Sequence, residues 1–290
     1  MSKFKIITDS SCDLTAELAE QLELDVLCLS VLAEDKVYKN YLDGREISPT
    51  DYYNMLRSGL MAKTAAANIE DFNDIFKKWL DDGYDVIYLG FSSALSGTFN
   101  TGKIVADEMS EKYPERKIYC VDTLAASLGQ GMLVYYAANM QKSGASIDEV
   151  RDWVEENKLS QAHLFTVSDL HHLQRGGRVS KTTAIIGSAL GVKPLMHCDN
   201  EGKLVKTGVV RGRQASLDSL VKRMKETIIN PEGQTVFISH GDCIDDAEYV
   251  KSEILKALPV KEVIINFVGP VIGTHSGPGT MALFFFASER

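Results

Sequence analysis

Residues 86–98 read VIYLGFSSALSGT. The first six are apolar, with β-branched and aromatic side chains and no polar alternation, which is the pattern of a strand buried on both faces. The run then breaks into small hydroxyl-bearing residues and a glycine. The same grammar recurs in FKIITDS (4–10), KIYCVDT (117–123), TVFISHG (235–241) and EVIINFVGP (262–270). Between these runs lie segments of helical period. Ile69, Phe72, Ile75, Phe76 and Trp79 mark one face, stopped by Gly83. Leu217, Leu220, Val221, Met224 and Ile228 mark a second, stopped at Asn230-Pro231, and Ala247, Val250, Ile254, Ala257 and Leu258 a third, stopped at Pro259. Their i, i+3, i+4, i+7 spacing predicts amphipathic helices.

Strands alternating with helices make βαβ units, hence an α/β fold with a mainly parallel sheet flanked by helices. One segment departs from this. KPLMHC and KLVKTGVV flank the turn DNEG (199–202), which predicts an antiparallel hairpin and a second domain of different topology. At 290 residues the chain suits roughly two domains. The boundary is placed after the helix carrying Ile147, Val150 and Val154, giving 1–158 and 159–290. No low-complexity linker marks it, so the two are expected to pack closely.

Composition narrows the function. Hydrophobic residues make up 44% and charged residues 24%, ordinary for a globular chain. No apolar run reaches the roughly 18 residues of a membrane span, and the opening MSKFKIITDS is not read as a signal peptide, so a cytoplasmic protein without stable membrane insertion is expected. The net charge of −9 argues against a nucleic-acid surface. Cys12, Cys28, Cys120, Cys198 and Cys243 are scattered and form no C-x-x-C, which argues against disulfides and structural zinc. His171 and His172 are adjacent and lack companions at ligand spacing. Dinucleotide, P-loop, H-E-x-x-H and G-x-S-x-G signatures are all absent, and no cofactor or metal is expected.

In open α/β sheets ligands bind beyond the carboxyl ends of the strands. There the chain places Thr8–Leu14, Ser92–Thr98 and Asp122-Thr123, with Lys63-Thr64 ahead of the Phe72 helix. Asp13, Asp122 and Thr98 read as helix caps. Ser92 and Ser93, followed by Leu-Ser-Gly-Thr, supply more hydroxyls than one cap uses. Leu173–Arg178 (LQRGGR) reads as a tight loop carrying exposed charge. IGTHSGPGT (272–280), ahead of MALFFF, is either a turn with an incidental histidine or a polar lid on an apolar interior. Phe284, Phe285 and Phe286 then line that interior or form ordinary core.

Four ordered motifs together resemble the DegV family: Thr-Asp-Ser-Ser-x-Asp-Leu at 8–14, Ser-Ser-x-Leu-Ser-Gly-Thr at 92–98, Leu-x-x-Gly-Gly-Arg at 173–178 and Gly-Thr-His-Ser-Gly-Pro-Gly at 273–279. They cover essentially the whole chain. The resemblance implies the fatty-acid-binding subunit of a bacterial fatty acid kinase. Such a protein buries one long-chain fatty acid between its domains and presents the carboxylate to a separate ATP-dependent kinase subunit, yielding an acyl phosphate for phospholipid synthesis. By motif, Thr64, Ser93 and His275, with neighbours Ser92 and Thr274, are implied head-group contacts. Arg178 and Arg211 are implied contacts with the partner. The chain departs from the family at Thr64-Ala65-Ala66-Ala67-Asn68, where Thr-Ser-x-Pro-Ser is usual.

Hydrogen bonds to a charged group contribute about 1.5–3 kcal/mol each. Burying about fifteen methylenes at ~0.8 kcal/mol each gives an upper figure near 12 kcal/mol before association costs. The tail would supply affinity and the head group orientation. The competing reading is a hydrolase or acyltransferase with Ser93 or Ser10 as nucleophile, His275 as base and Asp9 or Asp122 orienting it.

Overall fold

The computed structural model describes residues 3–168, 170–180 and 191–290. In chain order the first part contains β1 (Phe4–Asp9), α1 (Ala16–Gln21), β2 (Asp25–Leu27), β3 (Ser30–Ala33), β4 (Lys36–Lys39), α2 (Pro49–Arg57), β5 (Ala62–Ala65), α3 (Ile69–Asp81), β6 (Asp85–Gly90), α4 (Thr98–Lys112), β7 (Ile118–Asp122), α5 (Leu128–Lys142) and α6 (Ile147–Asn157). Strands β2-β1-β6-β7 form a four-stranded sheet, parallel throughout. Every residue of β6 is buried, as its unbroken apolar run requires.

The second part contains β8 (Gln161–Thr166), α7 (His171–Arg175), β9 (Val192–Cys198), β10 (Leu204–Arg211), α8 (Arg213–Thr227), β11 (Thr235–His240), α9 (Ile244–Ala257), β12 (Glu262–Phe267), α10 (Pro270–Ser276) and β13 (Met281–Phe286). Its six-stranded sheet runs β10-β9-β8-β13-β11-β12. Only the β11–β12 pair is parallel. The expected hairpin is β9–β10, with a bulge between Lys206 and Gly208.

Helix α5 holds the two sheets together. Nine of its fifteen residues are buried, and it packs on β6 from one sheet and on β11 and β13 from the other. A helix apolar all round belongs in an interior. One continuous core therefore runs through it, from Ile6, Ile87 and Leu89 to Phe165, Phe237 and Phe284. On the outer faces, α3 and α4 cover the parallel sheet around Phe72, Phe76 and Tyr88, while α8 and α9 cover the mixed sheet around Met224, Ile238 and Phe285.

Two features differ from the sequence reading. Strands β4-β3-β5 form a small antiparallel sheet, which places Thr64 on a strand. And Gly273–Ser276 are not turn: they complete α10, which begins at Pro270. Gly273 costs about 1 kcal/mol of helix propensity, but Tyr53 and Tyr52 of α2 fasten this helix. Tyr53 donates to Val268 O at 2.8 Å, and the Tyr52 hydroxyl lies 2.5 Å from Thr274 Oγ1. Gly277, at φ 80°, ends the helix in a conformation that a side chain would strain. Phe284 and Phe285 are core, and Phe286 packs on Tyr136 and Trp153.

Candidate functional site

Strand β5 alternates, so Lys63 is exposed while Thr64, opposite buried Val31, faces in. Helix α10 packs against α2, α7, β3 and β5, and its last turn aims His275 at that strand. Thr64 Oγ1 and His275 Nε2 stand 2.9 Å apart. Burial pulls the imidazole pKa down to about 4, with Arg178 and His172 adding to the effect. His275 is therefore neutral at pH 7, with one ring N–H to donate.

Behind His275 lies Gly176. A Cβ on Gly176 would sit 2.2 Å from His275 Nδ1, so glycine here is a condition of the imidazole's position. The Gly-Gly-Arg segment is thus packed on the site rather than standing free as a charged loop. Arg178 is half-buried. Its Nε donates to Leu95 O at 3.1 Å and its Nη1 to Gly176 O, tying this segment to the turn after β6. Burial holds its pKa below the usual arginine value. No carboxylate among the described residues pairs with it.

From these residues a cavity of about 240 Å³ runs inward, far above the roughly 10–15 Å³ that one water occupies by this measure. Thr64, Ser96, Arg178 and His275 line it, and its walls are mainly apolar, from Leu29, Phe91, Leu95, Phe165, Val271 and Ala282. It lies beyond the carboxyl ends of β1, β6, β7 and β11, where open sheets bind ligands. Ala65 and Ala66 of the divergent segment also line it. Ser11, Ser276 and His163 contribute polar atoms with no hydrogen-bond partner among the described residues. Burial pulls the His163 pKa down to about 3, so that ring too is neutral.

The other sequence-derived candidates lie elsewhere. The Ser93 backbone N–H points to Asp122 at 3.3 Å, and Ser93 is not among the cavity-lining residues. Ser96, three residues on, takes that place, with its Oγ 2.9 Å from Thr98 Oγ1. Ser92 donates to Gly202 O at 2.8 Å. Thr274 is turned toward Tyr52 and Pro270 O. Arg211 is exposed at the end of β10, away from the cavity lining.

The elements of a triad are not assembled. His275 meets Thr64, and Ser10 Oγ accepts from Leu29 N at 3.0 Å. Asp9 accepts from Ser11 N, Phe91 N, Tyr88 and Gln130, and Asp122 from Ser93 N and Leu124 N. Both carboxylates hold loops in place. Asp13 caps no helix start: at φ 51° it ends the short 3-10 turn Ser10–Cys12, and its buried carboxyl accepts from Ser127 Oγ at 2.5 Å, a hydroxyl that also contacts Ser239 Oγ at 2.9 Å. Among the described residues no helix is long and apolar enough to cross a membrane, and no group of three or more His, Cys, Asp or Glu is placed to hold a metal ion.

Residues 3–288 match the family model described as "Uncharacterised protein, DegV family". The chain belongs to the DegV family. A DegV domain-containing protein of Clostridium perfringens is 44% identical over 290 residues, covering 100% of this chain and 99% of the relative. Among solved DegV structures, a fatty-acid-binding member from Thermus thermophilus superposes with a TM-score of 0.88 at 29% identity, covering 98% of this chain and 99% of that one. DegV of Bacillus subtilis, described as a fatty acid binding protein, gives a TM-score of 0.83 at 27% identity, with 98% and 99% coverage.

Proposed function

We propose that this chain binds one long-chain fatty acid, with the carboxylate at Thr64, Ser96, His275 and Arg178 and the tail in the cavity behind them. The observation that carries this reading is the apolar cavity beside a neutral His–Thr pair and an arginine that, among the described residues, has no carboxylate partner. Hydroxyls and a guanidinium suit a carboxylate, and a half-buried arginine makes the stronger, charge-assisted bonds. The lipid ligands described for its DegV relatives support the same reading.

The chain then acts as carrier, not catalyst. A separate ATP-dependent kinase subunit supplies the phosphoryl group: a carboxylate oxygen bonds to the γ-phosphorus, the bond from that phosphorus to the β-bridging oxygen breaks, and ADP leaves. Arg211 remains a proposed contact for that subunit. Denaturing extraction and mass spectrometry of the purified protein should release one long-chain fatty acid per chain. Absence of bound lipid together with no saturable uptake of added palmitate would refute the reading.

A further inference from the structure

The apolar wall of the cavity is interrupted at His163. On the face of the six-stranded sheet that meets α5, strand pairing sets His163, Phe284 and Phe237 in one row and Phe165, Ala282 and Ser239 in the next. An aromatic or aliphatic residue at 163 would complete that surface without leaving a polar group to satisfy. Instead the imidazole is 4% exposed, and neither ring nitrogen has a hydrogen-bond partner among the described residues. Burial keeps the ring neutral, with one nitrogen to donate and one to accept. A buried polar group left unpaired costs stability or affinity, and native sites seldom carry one without a reason.

His163 also stands apart from the head-group residues. It precedes Thr166, the end of β8, by three residues, which is about 10 Å at roughly 3.3 Å per residue. Gly176 and Arg178, packed beside His275, come after that end. Ser11 Oγ is a second buried atom without a partner in the same cavity, on the turn Ser10–Cys12 that packs against α5, whose Gly129 adjoins His163. Among the described lining residues Arg178 is the one lysine or arginine, so the inner wall suits an uncharged oxygen and not a second anion.

We infer that the cavity is built for a long-chain fatty acid bearing a mid-chain hydroxyl, and that His163 hydrogen-bonds that hydroxyl. This rests on the fatty-acid reading above and narrows it to a substrate class. A hydroxyl donates or accepts as the ring tautomer requires, whereas a methylene can do neither. His163 thereby discriminates between oxygenated and plain chains by hydrogen bonding, while the head-group residues treat both alike.

The test uses the full chain and titration calorimetry with stearate, its 10-hydroxy and 12-hydroxy derivatives, and the terminal 18-hydroxy isomer. The readout is the affinity of each hydroxy acid relative to stearate. In the wild-type chain the better mid-chain isomer should bind at least as tightly as stearate, and at least about tenfold tighter than the terminal isomer. His163→Phe should lower the mid-chain ratio by at least about tenfold, and His163→Gln, which keeps a donor and an acceptor, should restore most of it. Thermal unfolding verifies that the variants fold; if His163→Phe does not, the wild-type ranking decides. Mid-chain isomers that bind more weakly than stearate, or a ratio unmoved by His163→Phe, overturn the inference and leave His163 paired with an ordered water only. If stearate binds and the hydroxy acids do not, the hydroxyl site alone falls. If no probe binds, the fatty-acid reading falls with it.

Discussion

Thr64 Oγ1 lies 2.9 Å from His275 Nε2, although 211 positions separate them in the chain. The contact joins a short strand packed on the first half to the last turn of a helix in the second. Either residue alone could serve as a weak donor. Together, above an apolar cavity, they give an acid head group a fixed orientation.

Removing the threonine hydroxyl while keeping its shape isolates that contribution. Thr64→Val should weaken palmitate binding by about tenfold, the low end for a hydrogen bond to a charged group, with an unfolding midpoint close to wild type. Titration calorimetry measures the first and scanning calorimetry the second. Equal affinity in the variant removes Thr64 from the head-group site.

Gly176 permits the imidazole's position, so Gly176→Ala must displace it: the new methyl would lie 2.2 Å from Nδ1. We expect palmitate affinity to fall more than about tenfold, since losing the oriented imidazole also disturbs its partners. Gly233→Ala is the control, because no atom lies within 4 Å of a Cβ there. Matching affinities for the two variants would show that the ring tolerates displacement.

Ser93 and Ser96 make opposite predictions. Ser96→Ala should lower palmitate affinity, whereas Ser93→Ala should leave it within about twofold, because the Asp122 contact uses the Ser93 backbone and not its hydroxyl. The reverse ranking would return the head group to Ser93 and require a different turn after β6.

Asp13 gives a prediction about pH. Burial raises its pKa to about 8 in the folded chain, against roughly 3.9 when unfolded. Between those values the unfolded state releases a proton that the folded state retains, so this group's contribution to stability falls as pH rises from about 4 through 8. Asp13→Asn keeps a neutral side chain able to accept from Ser127. The stability of the variant relative to wild type should therefore grow with pH, as followed by urea unfolding from pH 5 to 8.5. A difference constant across that range would mean Asp13 does not change protonation on unfolding.

The sheet strands and the outer helices were legible because each buries one face or both, and burial writes period 2, period 3.6 or an unbroken apolar run into the residues. Helix α5 carries no such stripe. Its apolar residues go all the way round, so no periodic face announces it. Strands β3, β4 and β5 have four residues each, too few for alternation to stand out, so local pattern placed Thr64 only ahead of a helix and the family motif alone pointed to it as a head-group contact. Glycines disguised α10 as a turn; its stability comes from Tyr52 and Tyr53, contacts that no local pattern encodes. The choice between Ser93 and Ser96 likewise depends on which way a turn faces. Composition supplied the hydroxyls and left their directions open.

The burial of α5 also limits how this chain can be divided. We take 158/159 as the division between its two units, yet α5, a helix of the first, is roofed by strands β11 and β13 of the second. Severed there, the amino-terminal fragment would present an oily rod to water, and the carboxy-terminal fragment a bare sheet. Each half is the other's solvent shield, so the molecule must be made, and kept, in one piece.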